Sequence, residues 1–126
     1  MPGLLAVAAG VFVSALPRAA ASAEADAAVQ KQFEAVISAI EQGDREAFVA
    51  DGTEALKKGM TAEIMASLQT QLGARLAKGF QATFLCELNQ QGHRVYLWKV
   101  SFTGGGDDVV VRVVRKDDKL AGFFLQ

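Results

Sequence analysis

RVYLWKVSF, residues 94–102, decides the fold. Tyr96, Trp98, Val100 and Phe102 fall on one side of it; Val95, Leu97, Lys99 and Ser101 fall on the other. That period of two is the signature of a strand with a buried face. On its N-terminal side, Phe80 to Leu88 is a strand of similar character, joined through Asn89-Gln90-Gln91-Gly92. On its C-terminal side, Thr103-Gly104-Gly105-Gly106 turns the chain into a strand from Asp107 to Arg115. Asp117-Asp118 then turns it into a last strand from Leu120 to Leu125. Strands this short, with turns this short between them, predict an antiparallel four-stranded meander. The last strand is expected inside the sheet, paired with residues 109–115 and with Phe123 or Phe124 closing the core. Fraying there would expose two phenylalanines.

Upstream of Gly79 the period changes. Val29, Phe33, Val36, Ile37 and Ile40 make one apolar stripe on a helix from Ala25 to Gln42, ended by Gly43. Asp44 is placed to cap a short helix from Arg45 to Val49. After the turn at Asp51-Gly52-Thr53, Thr53 to Lys58 suits another short helical turn. Thr61 caps a longer helix carrying Ile64, Met65, Leu68, Leu72 and Leu76, ended by Gly79. Helices first and strands after predict an α+β fold, with the N-terminal helices packed on one face of a curved sheet.

The chain has 126 residues, room for one domain and one core. Thirteen basic residues against 14 acidic ones argue against an electrostatically driven nucleic-acid binder. The first residues have their own composition. Leu4 to Leu16 is an uncharged apolar run, too short for a bilayer-spanning helix, which needs about 20 residues. It suits a secretory signal peptide, and Ala21-Ser22-Ala23 offers a cleavage site before Glu24. No Lys or Arg precedes Leu4, where such a leader ordinarily carries positive charge. The other reading is a buried N-terminal helix. Cleavage would leave residues 24–126 as a single secreted or periplasmic domain with no membrane segment. It would remove Arg18 and no acid, leaving 12 basic residues against 14 acidic. One thiol suits an oxidising compartment if Cys86 is buried.

Few residues carry chemistry. His93, the single histidine, follows Gly92 in a turn, which favours exposure over catalysis. Cys86 lies in a strand with nothing nearby in sequence to lower its pKa, so a buried structural thiol is expected. Asp107-Asp108 and Asp117-Asp118 sit in turns and lack the alternating ligands of a calcium loop. Gly104-Gly105-Gly106 precedes no helix and no Lys-Ser/Thr pair, so it is no phosphate loop. No metal or cofactor pattern emerges. Lys99 and Arg112 each interrupt apolar company in mid-strand. Facing inward they would favour an anionic ligand; facing outward they would alternate with buried neighbours.

The amphipathic helix, Gly43-Asp44 and Phe48 resemble the opening of many small nuclear-transport-factor-2-like (cystatin-like, cone-shaped roll) domains. The closing hairpin, Val109-Val110-Val111-Arg112-Val113-Val114 with Lys119-Leu120-Ala121-Gly122-Phe123-Phe124, resembles theirs. Over residues 27–126 the chain is similar to a bacterial family of unknown function. Its members occur as small secreted proteins and as N-terminal modules of α/β-hydrolases. Asp117-Asp118 departs from the Asp-Gly common at their turn. The resemblance implies a cavity between helices and sheet, and no agreed reaction. Enzymes of this fold, isomerases and dehydratases, place an Asp, His or Tyr inside the cone. The interior candidates here are Tyr96, Glu87, Lys99, Arg112 and Trp98, and superfamily members commonly dimerise through the sheet. The expectation is a non-enzymatic domain that binds a small ligand in the cavity or a protein partner across the sheet. Tyr96, Trp98, Lys99 and Arg112 are the candidate ligand-binding residues, and no catalytic or metal-binding residue is assigned. An isomerase or hydratase and an accessory interaction module are the alternatives.

Overall fold

The structure, a computed structural model, describes residues 25–126. The leader and its cleavage site lie outside the described residues. Four helical segments come first: α1 Ala27–Gln42, α2 Arg45–Val49, α3 Glu54–Gly59 and α4 Ala62–Leu68. A π-helical turn, Gln69–Gly73, carries α4 into α5, Ala74–Ala77. Four strands follow: β1 Phe80–Gln90, β2 His93–Phe102, β3 Val109–Lys116 and β4 Lys119–Leu125. They form one antiparallel sheet in the order β1-β2-β3-β4, so the fold is α+β with a meander.

Local chemistry sets the helix boundaries. Gly43 is left-handed at φ 69°, and its N–H donates to the Ile40 carbonyl, which closes α1. A Cβ there would also strike the Gln69 side chain, 2.5 Å from its Oε1. Asp44, Thr53 and Thr61 each accept a backbone N–H three residues on, from Ala47, Leu56 and Ile64. The π-helical turn has no clear periodic signal in the sequence; within its span the Thr70 hydroxyl donates to the Ala66 carbonyl.

One face of the sheet meets the helices. Trp98, Val100, Phe102, Val111, Val113 and Leu120 are buried there against Val29, Phe33, Val36, Ile37 and Ile40 of α1. Phe33 stacks on Trp98 with ring centroids 4.1 Å apart. Phe84 meets Trp98 edge-on at 5.3 Å, and Phe123 meets Phe48 edge-on at 5.6 Å.

Two expectations about strands are corrected. β4 is not inside the sheet but at its edge, paired with β3 alone. Its outer edge is covered at one point by the α2–α3 loop: Leu120 donates to Asp51 O and Thr53 donates to Leu120 O. Phe123 joins the core, while Phe124 is 51% exposed on the far side. The first turn is also tighter than expected. β1 runs on to Gln90, leaving Gln91 (φ 53°) and Gly92 (φ 80°) as a two-residue hairpin loop with both residues left-handed.

Candidate functional site on the outer face of the sheet

The register sorts the four candidate residues onto two faces. Tyr96 and Trp98 point toward the helices and are 5% and 1% exposed. Tyr96 lies beside the rings of Phe84 and Trp98. Lys99 and Arg112 point the other way: Lys99 pairs with Thr83 and Val110, and Arg112 pairs with Leu97 and Phe124. The four therefore do not form one site. The space beside Trp98 is filled by aromatic rings. The helix–sheet layer opens at the edge of the sheet, where Phe33, Ile37, Phe80 and Ala82 line a cleft of about 270 Å³.

A bulge in β1 builds the outer face. Phe84 pairs with Trp98 and Cys86 with Leu97, so Leu85 is the extra residue. Before it, Phe80, Ala82 and Phe84 face the helices. After it, Cys86 and Leu88 have moved to the outer face, and Glu87 has moved to the helix-facing side. Cys86 is therefore not a core thiol, as its sequence context suggested, but half-buried on the outer face. Glu87 lies toward the far end of the strand, ion-paired to Arg94.

On the outer face Val95 sits between Leu88 and Val114. It is 1% exposed yet separate from the main core. Together with Gln90, Gln91, His93, Arg112 and Val114 it lines an open groove of about 760 Å³. Arg112 donates from Nη2 to Gln90 Oε1 at 2.6 Å, and its guanidinium lies 5.6 Å from the centre of the Phe124 ring. Those two contacts hold the planar group on the face and leave donors for a carboxylate. His93 opens β2, with Nδ1 3.1 Å from Gln91 O. The four strands contain one acidic residue, Glu87, and it is not on this face. The face is therefore apolar with cations and no carboxylate of its own strands. Sequence reasoning found Arg112, a lone cation in a run of valines, and missed the residues around it. Gln90, His93 and Val95 come from the other hairpin and meet Arg112 only through the register.

Among the described residues no cluster of three or more His, Cys, Asp or Glu is placed to hold a metal ion. No described helix is long and apolar enough to cross a membrane. No protein-family model matches the sequence, and neither does any curated protein. The chain is similar to a solved structure described as an uncharacterised cystatin-fold protein from Novosphingobium aromaticivorans. The two are 18% identical, with a TM-score of 0.41, over 76% of this chain and 95% of that one.

Proposed function

We propose that this chain is a non-enzymatic binding domain that receives an apolar, carboxylate-bearing segment of a partner polypeptide on the outer face of its sheet. Arg112 is the group that takes the carboxylate. The groove around Arg112 carries this reading: a cation pinned by Gln90 and Phe124, over an apolar floor at Val95, on a face without acids from its strands. An interior filled by the Phe33–Trp98 stack favours the sheet face over a ligand inside the cone. Glu87, the carboxylate opposite Tyr96 in the strand pair, is ion-paired to Arg94, which argues against a free acid/base pair for isomerase or hydratase chemistry. The domain fits the nuclear-transport-factor-2-like group on the resemblance quoted above. Export, with cleavage before Glu24, would put this face in contact with other secreted polypeptides.

The test is an NMR titration of the 15N-labelled protein with hexanoate, an apolar chain ending in a carboxylate. Amide shifts are expected at Gln90, His93, Val95, Arg112 and Val114, weakening with added salt and at least tenfold weaker in Arg112→Gln. Shifts centred on Tyr96 and Trp98, or an Arg112→Gln variant that binds equally well, would overturn it. Sedimentation velocity supplies a second check. Self-association lost in Phe124→Glu would make a second copy of this chain the occupant and refute the acidic partner.

A further inference from the structure

A second polar site lies on the helix side of the sheet, at the β3–β4 turn. Gln32 of α1 is 8% exposed, and its Oε1 has no hydrogen-bond partner. Arg115, at the end of β3, has a buried Nε that also lacks one. Buried polar atoms are nearly always paired, so two such orphans call for an explanation. Both residues line the same cleft of about 440 Å³, together with Ala28, Lys31, Asp51 and Asp118. The orphans are of opposite sense: the amide oxygen accepts and the guanidinium N–H donates. The charged rim is balanced, with Lys31 and Arg115 against Asp51 and Asp118.

The walls are fixed by backbone contacts. Arg115 Nη2 donates to Asp118 O at 3.0 Å, holding the guanidinium across the turn. Asp51 O accepts from Leu120 N at 2.8 Å, tying the α2–α3 loop to β4. Ala28 lies in the first turn of α1, which has no acid, and the Asp26 side chain makes no cap bond there.

We propose that this cleft binds a small zwitterion of the free α-amino acid class. The carboxylate meets Arg115 Nε and Lys31 near the start of α1. The ammonium donates to Gln32 Oε1 and lies against Asp51 and Asp118. A ligand with one charge of either sign would leave one orphan unpaired and half of the rim unanswered. The volume falls within the range of small-molecule sites, roughly 300–1,000 Å³.

Thermal-shift and calorimetric titrations with the twenty free L-amino acids test this, with acetate and methylammonium as half-ligands. At least one amino acid is expected to bind and raise Tm, with both half-ligands at least 100-fold weaker. Gln32→Met keeps the volume and removes the orphan acceptor; Asp51→Asn changes an exposed carboxylate. Each is expected to weaken binding at least tenfold while the far-UV circular dichroism spectrum stays native. The absence of amino-acid binding to the wild type would overturn the proposal. So would acetate binding as tightly as the best amino acid, or affinity unchanged in both folded variants.

Discussion

Replacing Trp98 by alanine tests whether the interior of the roll is a packed core or a receptive cavity. Trp98 is 1% exposed, stacked on Phe33 at 4.1 Å and met edge-on by Phe84 at 5.3 Å. Truncating a buried aromatic of this kind costs about 3–5 kcal/mol through lost transfer energy and the cavity left behind. A stacked pair adds about 0.5–1.5 kcal/mol beyond area burial, so the upper part of that range applies, about 4–5 kcal/mol. A domain of this size has roughly 5–15 kcal/mol in total. With a urea slope of about 1–1.5 kcal/mol/M, the midpoint should fall by about 3–5 M. Far-UV circular dichroism is the appropriate signal, because Trp98 is the single tryptophan and the variant has no indole fluorescence. Should Trp98→Ala fail to fold, Phe33→Leu keeps the test open, with an expected loss of about 1–2 kcal/mol from repacking and the lost ring stack. Added indole should restore part of the lost stability of the alanine variant by refilling the void. A loss below about 1 kcal/mol in Trp98→Ala would refute the packed core and return the interior to candidacy as a ligand site.

Gly92 has φ 80°, and a Cβ built on it meets nothing within 4 Å, so Gly92→Ala isolates backbone strain. It should cost about 1–2 kcal/mol in urea denaturation without any steric contact. Arg45 donates to the Lys57 and Met60 carbonyls and so closes the C-terminal end of α3. Arg45→Met should cost about 1.5–3 kcal/mol, and amide exchange in α3 should quicken before that in the sheet. If the chain is exported, Edman sequencing of the extracellular product should begin at Glu24; protein still beginning at Met1 would exclude the leader.

How much of this was legible varies by element. Asp44 and Thr61 cap helices in the structure as their sequence positions predict, because capping is settled within three or four residues; Thr53, expected inside its short helix, caps it instead. The inward row Tyr96, Trp98, Val100 and Phe102 was equally legible, because alternation is local. In β1 the same alternation misleads. Strict alternation would put Phe80, Ala82, Phe84, Cys86 and Leu88 on one face, and the bulge at Leu85 sends the last two to the other. An extra residue is a property of strand pairing, and the partner strand lies beyond any local window. The π-helical turn at Gln69–Gly73 was likewise hidden inside an unbroken helical period.

The candidate sites follow the same division. The sequence by itself determined an α+β chain, helices before a meander, a net charge near zero, and Arg112 in the middle of the Val109–Val114 run. It also placed almost every acid in helices and turns, which leaves the outer face of the sheet to cations. The tertiary structure decided which face Arg112 occupies and gathered Gln90, His93 and Val95 around it. It also brought Gln32, Asp51 and Arg115, distant in sequence, to one cleft. Secondary structure follows from periods of two and 3.6 residues that a short segment carries alone. A binding site depends on register and on loops closed across the whole domain, and those are fixed only when the helices, strands and turns pack together.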